Sequence, residues 1–268
     1  MPAPSDSYNI SAKHYDAAYA AKQDLVDLPF YVDLAKKSGG PVLELACGTG
    51  RVLLNIARHG IEIDGVDNSA PMLHVLKSHL EKEPPQVRQK ITLHEGDMRT
   101  FRTGKKYPLV LMPFRPMQHM FTVRDQVSAL TTAATHLQEN GTFAFDVFYP
   151  RFDLLPAGIG EEKLELEWPD PGDPNKIVRR YFRKESFDKI RQTFAATFIF
   201  RTYEGDKLLH EETEPLKMSY YTYPHLKSLF QLAGLETVEE FGSFARAPVD
   251  NSSDQMIFVL KKAPRTRQ

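Results

Sequence analysis

Glycines and acidic residues in the first third of the chain are spaced in a way that suits the binding of a nucleotide. An apolar run of strand character, residues 42–45, leads into a loop of small residues in which Gly48 and Gly50 stand two positions apart. Apolar residues then recur with helical spacing over residues 52–56. Glycines let the backbone approach a ligand, and the first N–H groups of a helix can bind it. The pattern therefore predicts a nucleotide cradle between a strand and a helix.

Two common nucleotide motifs are incomplete in this loop. A dinucleotide fold of the GxGxxG type needs a third glycine for close packing of helix and strand, but Leu53 stands there. A phosphate-binding P-loop needs Gly-Lys-Ser or Gly-Lys-Thr, whereas Gly50 is followed by Arg51. An NAD-dependent oxidoreductase is therefore disfavoured. What the run does contain is an acid, Glu44, inside the strand before the glycines.

Two further acidic residues follow predicted strands. Asp67 ends an alternating stretch, residues 61–67, and Asp97 follows a stretch that begins at Ile91. A carboxylate at the end of the second strand can accept both hydrogen bonds of a ribose diol. Asp67 could instead cap the next helix, unless Ser69 does so and leaves Asp67 for the ligand. Asp97 could also be an ordinary turn residue.

The segment from Glu44 to Arg51, ELACGTGR, resembles the first motif of the class I S-adenosylmethionine-dependent methyltransferases. The stretches that end near Asp67, Asp97 and Phe114 follow in the order of that family's later motifs. The resemblance implies that the glycine loop binds the amino-acid end of S-adenosylmethionine, Asp67 the ribose and Asp97 the adenine amino group. The other residues that it assigns to the cofactor are Tyr15, Glu44, Ala46, Cys47, Gly48, Thr49, Gly50, Asn68, Met72, Met98, Pro113, Phe114 and Gln118.

Strands and helices alternate up to residue 150, which predicts an α/β fold with a doubly wound, mostly parallel sheet. The last helix of this stretch is expected from Val123 to Leu137, with Asn140-Gly141 as its stop and the fifth strand after it. By resemblance the sheet has seven strands in a Rossmann-like methyltransferase fold, and its last two strands form an antiparallel edge hairpin. We expect this core to comprise residues 39–150 and 222–262.

The pattern changes between residues 151 and 221. Short alternating stretches separated by turn signals replace the helical period, which predicts an antiparallel insertion. Such an insertion after the fifth strand resembles the small-molecule N-methyltransferases, in which it roofs the acceptor site. Residues 1–38 are expected to form a helical lid, and the resemblance places Tyr15 of this lid against the cofactor. Packing of the lid against the core is the alternative role for its tyrosines.

Methyl transfer is an in-line displacement at an activated sulfonium methyl, so the protein mainly has to hold donor and acceptor together and exclude water. An amine acceptor must also be unprotonated, and His119, after the fourth predicted strand, is the candidate catalytic base. His119 could equally be structural. Arg115 could neutralise the carboxylate of the acceptor or that of the cofactor, or it could equally be a solvated or salt-bridged arginine. Tyr19, Tyr220 and Tyr221 are candidates for the substrate pocket, with core packing as the alternative for each.

The main hypothesis is therefore a methyltransferase that moves a methyl group from S-adenosylmethionine to a small molecule, with nitrogen favoured over oxygen. A catalytically silent sensor or scaffold that binds S-adenosylmethionine is the alternative. Residues 112–115, Met-Pro-Phe-Arg, depart from the Asn/Asp-Pro-Pro-Tyr/Phe tetrad of enzymes that methylate DNA bases or protein glutamine. Methylation of DNA is therefore disfavoured.

The composition limits the partners and the compartment. The formal net charge is −1 and gives no basic excess for a nucleic-acid partner. No apolar run has the length of a membrane span, and no Cys/His cluster has the spacing of a zinc site. One cysteine, Cys47, suits a reducing cytosol, and its place in the glycine loop indicates packing, not a nucleophile. We expect a cytoplasmic monomer or homodimer with no metal, no membrane and no nucleic acid.

Overall fold

The computed structural model describes residues 9–22, 26–152 and 155–264. The first residues of the expected lid, 1–8, therefore lie outside the described part. The helices are α1 (Asn9–Ala20), α2 (Asp27–Ser38), α3 (Arg51–Arg58), α4 (Ala70–Lys82), α5 (Pro85–Arg88), α6 (Val123–His136) and α7 (Tyr223–Leu232). The strands are β1 (Val42–Leu45), β2 (Ile63–Asp67), β3 (Ile91–Glu95), β4 (Tyr107–Met112), β5 (Leu137–Phe148), β6 (Glu162–Asp170), β7 (Asp173–Asp188), β8 (Thr193–Glu204), β9 (Lys207–Ser219), β10 (Leu235–Phe241) and β11 (Gln255–Lys262).

The chain divides into two compact units. A core unit comprises residues 26–150 and 219–268, and an antiparallel unit comprises residues 1–25 and 151–218. Helix α2 belongs to the core unit, because Phe30 and Tyr31 are buried in one of its apolar clusters. The segment expected as a lid through residue 38 is therefore shared between the two units, with only α1 in the antiparallel one.

The core unit contains a seven-stranded sheet in the order β10-β11-β5-β4-β1-β2-β3. Strands β1 to β5 run parallel, whereas β11 is antiparallel to both β5 and β10. Strand β1 lies between β2 and β4, so the strand order reverses there and ligands of such sheets bind at its carboxyl end. Every residue of β1 and β2 is buried, as expected for parallel strands covered on both faces. The predicted mostly parallel seven-stranded α/β fold is confirmed.

One element boundary differs from the prediction. Helix α6 ends at His136, and β5 begins at Leu137 without an intervening loop. Gly141 is therefore not a helix stop but lies inside the strand. A Cβ atom at this position would come within 2.8 Å of Tyr107 O, so the close approach of β4 explains the glycine.

The antiparallel unit contains a four-stranded sheet in the order β6-β7-β8-β9, which confirms the predicted antiparallel insertion. Strand β7 pairs in antiparallel register with both β6 and β8. Gly205 lies in the turn that joins β8 to β9 and has a positive φ of 56°. Helix α1 packs its Ala18 against Trp168, Val178 and Phe200 on one face of this sheet.

Candidate functional site

The loop after β1 is held in an unusual backbone conformation. Ala46, Gly48 and Gly50 all have positive φ, at 59°, 54° and 87°. A Cβ atom on Gly50 would overlap the side chain of Leu76, whereas one on Gly48 would meet nothing within 4 Å. Gly50 is therefore needed for packing, and Gly48 leaves open space beside the backbone. The glycine loop between β1 and α3 is thus the structure of the segment that was predicted to form a nucleotide cradle.

Asp67 ties the glycine loop to the end of β2. Its Oδ2 accepts a hydrogen bond from Gly48 N at 2.8 Å, and its Oδ1 accepts one from Ser69 N at 2.8 Å. Ser69 caps α4 by accepting a hydrogen bond from Met72 N. The helix cap is thus Ser69, and Asp67 does not serve as the cap. Each carboxylate oxygen of Asp67 keeps a further lone pair that can accept a hydrogen bond from a ligand hydroxyl.

Glu44 is a buried acid without a hydrogen-bond partner on one oxygen. Glu44 is 2% exposed, and no described residue donates a hydrogen bond to its Oε2. Burial raises the pKa of Glu44 to about 8, and the charge of Arg51 opposes this rise. Burying a carboxyl group in this way costs free energy that a cationic hydrogen-bond donor would recover.

The other residues predicted to bind the cofactor differ in their solvent exposure and in their hydrogen bonds. Asp97 accepts hydrogen bonds from the backbone N and the guanidinium of Arg99, which lowers the pKa of Asp97. Burial raises the pKa of the Cys47 thiol well above its usual value, so this side chain is a protonated packing residue. The remaining residues are Ala46 (half-buried), Asn68 (exposed), Met98 (half-buried) and the buried Thr49, Met72 and Pro113.

The turn after β4 is strained and is fixed by an acid that the sequence analysis did not select. Phe114 and Arg115 are consecutive residues with positive φ, at 67° and 70°. Phe114 N donates to Asp146 Oδ1 at 2.7 Å, and Arg115 Nε lies 3.9 Å from Asp146 Oδ2. Asp146 is 2% exposed near the end of β5, and burial raises its pKa. Tyr31 of α2 donates to the same Oδ1 at 2.6 Å.

Helix α2 reaches the glycine loop through a second contact. Asp27 accepts two hydrogen bonds from the guanidinium of Arg51, the first residue of α3, at 2.9 and 2.5 Å. That guanidinium lies 5.0 Å from the ring centre of Phe114. Asp27 and Tyr31 are one helical turn apart, so one face of α2 supports both the glycine loop and the turn after β4. A sequence signal existed for Asp146, because it is the lone acid within the apolar stretch 142–148.

A short 3-10 helix, Pro116–His119, follows this turn. His119 is half-buried, and loss of solvation lowers its pKa to about 4, so its imidazole is neutral at neutral pH. Gln118 is fully buried; its Nε2 donates to Ser219 O at 3.0 Å and its Oε1 accepts from Phe148 N at 3.4 Å. Both ends of the Gln118 amide are therefore bound to backbone, which contradicts the expectation that this side chain contacts the cofactor.

The aromatic residues predicted at the acceptor pocket have different surroundings. Tyr221 is completely buried in the core, and its hydroxyl donates to Met117 O at 2.5 Å, so its expected contact with substrate is wrong. Tyr220 is also buried, and its expected place in the pocket wall stays a prediction. Tyr15 and Tyr19 lie on α1 in the antiparallel unit with ring centres 4.3 Å apart. Their contacts with cofactor and substrate stay predictions, as does that of Arg115.

Comparison with known proteins identifies the core unit. A family model described as a methyltransferase domain matches residues 42–141, from the first residue of β1 into β5. Residues 42–141 are therefore a methyltransferase domain, with the class I fold. The residues that carried the resemblance, Glu44 through Arg51, lie inside this match. Methyltransferases of this class use S-adenosylmethionine as the methyl donor.

Three relatives show which methyltransferases this chain is similar to. A dTDP-3-amino-3,4,6-trideoxy-alpha-D-glucopyranose N,N-dimethyltransferase of Streptomyces venezuelae is 29% identical over 146 residues, which are 54% of this chain and 57% of the relative. The chain thus matches less than two thirds of that relative. A cypemycin N-terminal methyltransferase of a Streptomyces species is 25% identical over 84% of each chain. The structure of the CcbJ methyltransferase of Streptomyces caelestis superposes with a TM-score of 0.79 at 25% identity, covering 97% of this chain and 98% of that one.

The site of this methyltransferase domain fits S-adenosylmethionine. The unpartnered oxygen of Glu44 suits the ammonium of the cofactor's amino-acid end, and the open space at Gly48 leaves room for its backbone. Asp67 offers two acceptor oxygens for a ribose diol. Among the described residues, no group of three His, Cys, Asp or Glu side chains could hold a metal, and no helix is long and apolar enough to cross a membrane.

Proposed function

We propose that this protein is an enzyme that transfers a methyl group from S-adenosylmethionine to a nitrogen atom of a small molecule. The observation that carries the proposal is Glu44, a buried acid with an unpartnered oxygen beside a strained glycine loop. Such an arrangement costs stability and is typical of a ligand site. The bound cofactor supplies an electrophilic methyl group on a sulfonium.

The chain's own residues have to bind and orient the reactants. Asp67 fixes the glycine loop through Gly48 N, and Asp146 fixes the turn after β4 through Phe114 N. These two hydrogen bonds join loops at neighbouring strand ends of one rigid sheet. Holding the reactants in attack geometry is worth several kcal/mol of the barrier, so this rigidity is the main contribution that we assign to the protein.

The state of His119 favours nitrogen as the acceptor atom. An imidazole with a pKa of about 4 is too weak a base to ionise an alcohol, but it can accept a hydrogen bond from a neutral amine. The two relatives described above are also named for nitrogen acceptors, an amino sugar in one case and the N-terminus of cypemycin in the other. We propose that His119 accepts a hydrogen bond from an N–H of the neutral acceptor amine and so orients the amine lone pair toward the methyl group, while the proton of the methylated product leaves to solvent.

The proposal also covers the compartment, the oligomeric state and the partners of the enzyme. We propose that it acts in the cytoplasm as a monomer or homodimer, with a small-molecule acceptor and no nucleic-acid partner. The single cysteine, Cys47, is buried and free, which is compatible with a reducing compartment. Light scattering of the purified protein would give its oligomeric state.

Thermal unfolding with S-adenosylmethionine, S-adenosylhomocysteine and NAD is the first test. A ligand at 100 times its dissociation constant stabilises the native state by about 2.7 kcal/mol. We expect both sulfur compounds to raise the melting temperature of the wild type and of Asp33→Ala, but not of Asp67→Ala. Asp33 is the control because it is a half-exposed acid of α2 that pairs with Lys37. A rise with NAD alone would contradict the proposed cofactor.

Turnover is tested separately with a panel of amino sugars, amino acids and short peptides. Mass spectrometry should detect an acceptor that gains 14 mass units for each methyl group, together with S-adenosylhomocysteine. Transfer to an alcohol but to no amine in matched pairs would overturn the assignment of nitrogen. Cofactor binding without any methylated product across the panel would count against the enzyme.

A further inference from the structure

Three acidic side chains are buried in the core unit. Asp27, Glu44 and Asp146 are 3%, 2% and 2% exposed. Asp146 accepts hydrogen bonds from the hydroxyl of Tyr31 and from Phe114 N. A buried carboxylate costs free energy unless it is paired, so the donors near Asp27 and Glu44 determine what each of these two acids can bind.

The donor at Asp27 is Arg51, the first residue of α3. Its Nη1 donates to Asp27 Oδ1 at 2.9 Å, and its Nη2 donates to Asp27 Oδ2 at 2.5 Å. The same guanidinium lies over the ring of Phe114, 5.0 Å from the ring centre. Both oxygens of Asp27 are therefore used to fix the direction of the Arg51 side chain.

Glu44 lies on the face of the sheet where this ion pair is found. Val42 belongs to the apolar cluster formed with α2 and α3, whereas its neighbour Leu43 belongs to the cluster formed with α6 and α7. Side chains alternate along a strand, so Glu44 points with Val42 toward α2 and α3. The first residues of these two helices are Asp27 and Arg51.

The charges of these residues act on one another. Burial raises the pKa of Glu44 to about 8; the charge of Arg51 opposes this rise, whereas the charges of Asp67 and Asp27 add to it. Arg51 is the cation of this group, and its terminal nitrogens donate to Asp27. No described residue donates to Glu44 Oε2, although this acid lies close to the arginine.

We propose that Asp27 is a positioning residue for the binding of S-adenosylmethionine: it holds Arg51 away from Glu44, so that the Glu44 carboxyl group stays available for the ammonium of the cofactor. This role rests on the proposed function, because it needs that ammonium at Glu44. Asp27 acts through Arg51 and does not touch the ligand. Without the charge of Asp27, Arg51 turns to Glu44 and takes the place of the ammonium.

Two ligands separate this role from a general loss of structure. S-adenosylhomocysteine carries the ammonium, whereas 5′-methylthioadenosine has the same nucleoside and sulfur but no amino-acid end. Asp27→Asn should weaken S-adenosylhomocysteine about tenfold or more, the value of a hydrogen bond to a charged group, and change 5′-methylthioadenosine less than about twofold. Titration calorimetry at pH 7 measures both affinities.

A double variant should restore the affinity. Asp27→Asn combined with Arg51→Met removes both partners of the ion pair, so no guanidinium competes for Glu44 and no buried charge is left unpaired. This variant should bind S-adenosylhomocysteine within about threefold of the wild type. Asp33→Asn is the matched control, because Asp33 is an acid of the same helix that pairs with Lys37 at 2.8 Å. Neither ligand should respond to it.

Proton release on binding is a readout that a purely structural role would not move. In the free wild type at pH 7 Glu44 holds a proton, which the arriving ammonium displaces. In Asp27→Asn the charge of Arg51 ionises Glu44 before the ligand arrives, so fewer protons should be released with S-adenosylhomocysteine. Calorimetry in buffers of different ionisation enthalpy counts them.

The possible failures are distinguishable. Equal loss of affinity for both ligands in folded Asp27→Asn, or unchanged affinity for both, would overturn the role of Asp27. Loss of affinity for S-adenosylhomocysteine alone in the folded double variant would show that Arg51 itself binds the ligand, and this test holds even if Asp27→Asn does not fold. Wild-type protein that binds neither ligand would overturn the proposed cofactor as well. Far-ultraviolet circular dichroism verifies the fold of each variant.

Discussion

Tyr31 and Asp146, 115 residues apart in sequence, meet through a hydrogen bond of 2.6 Å between the phenol and Oδ1. The same oxygen accepts Phe114 N–H, so α2, β5 and the turn after β4 converge on one carboxylate. Phe114 and Arg115 both have the left-handed conformation, which costs roughly 1–2 kcal/mol for each such residue. The Asp146 contacts offset this cost and fix the turn.

Asp146→Ala should therefore destabilise the core unit by about 2–4 kcal/mol, because it leaves the Tyr31 hydroxyl and Phe114 N–H without an acceptor. Tyr31→Phe should cost about 1–2 kcal/mol, since only one donor is lost. Asp146→Asn keeps an acceptor oxygen and should lie between the wild type and Asp146→Ala. Urea unfolding followed by circular dichroism gives the values, and equal stability of Asp146→Ala and wild type would contradict the assigned role.

Glu44 should make the stability of the free protein fall as the pH rises. Burial raises its pKa from an ordinary 4.5 to about 8, so between these values the folded state holds one proton more than the unfolded state. Stability then decreases by about 1.4 kcal/mol per pH unit from this group and levels off above pH 8. Glu44→Gln should remove this part of the slope. Urea unfolding between pH 5 and pH 9 compares the two proteins, and parallel curves would count against a raised pKa.

The same group should couple cofactor binding to proton release. A bound ammonium favours the ionised carboxylate, so wild-type protein at pH 7 should release up to one proton when S-adenosylhomocysteine binds. Calorimetry in buffers of different ionisation enthalpy measures this number, and Glu44→Gln should give a value near zero. Equal proton release by both proteins would place the titrating group elsewhere.

Gly48 and Gly50 should respond differently to alanine. Gly50→Ala adds a Cβ that overlaps Leu76 and should destabilise the fold by about 2 kcal/mol or more. Gly48→Ala meets no neighbouring atom, so its folding cost is only the strain of positive φ, about 1–2 kcal/mol. Its methyl group would nevertheless enter the cradle, and we expect S-adenosylhomocysteine affinity to fall at least tenfold. Full affinity of Gly48→Ala in titration calorimetry would show that the ligand does not pass this position.

His119 should contribute to kcat, but its titration should not produce a change of kcat near pH 6.5. With a pKa of about 4, its imidazole is already neutral at pH 5.5, so kcat should show no acidic limb from His119 between pH 5.5 and 8. His119→Ala should lower kcat about tenfold to a hundredfold, because it removes the hydrogen bond that orients the acceptor amine. A wild-type limb near pH 6.5 that disappears in His119→Ala would contradict the lowered pKa.

The fold was largely predictable because local patterns and long-range packing agree. Strands such as Val42–Leu45 are uniformly apolar except for one acid, and Gly48 and Gly50 mark the turn that must follow. The prediction was wrong where a glycine served packing between strands. Gly141 resembled a helix stop, but contact with Tyr107 O explains it, and no local pattern reveals a contact across two strands.

The site was predicted only in part, because a local sequence pattern does not reveal contacts between residues that are far apart in the chain. Asp67 and Gly48 were found because a motif brings them together. Gln118 and Tyr221 were misassigned because their side-chain donors bind backbone carbonyls that are 101 and 104 residues away along the chain. Asp146 was missed since its partners, Tyr31 and Phe114, are 115 and 32 residues away.

The contacts of α1 have a consequence for synthesis on the ribosome. Ser11 N binds the carboxylate of Glu214, a residue that is added 203 positions later. At about 5–20 residues per second, the helix segment waits on the order of 10–40 seconds before the strand that carries this acid emerges. For most of that interval, until Trp168 and Phe200 are added, the apolar face that later packs on them has none of these native neighbours. Nascent chains stalled before β9 should therefore bind holding chaperones through residues 9–20, and release them once Glu214 has left the exit tunnel.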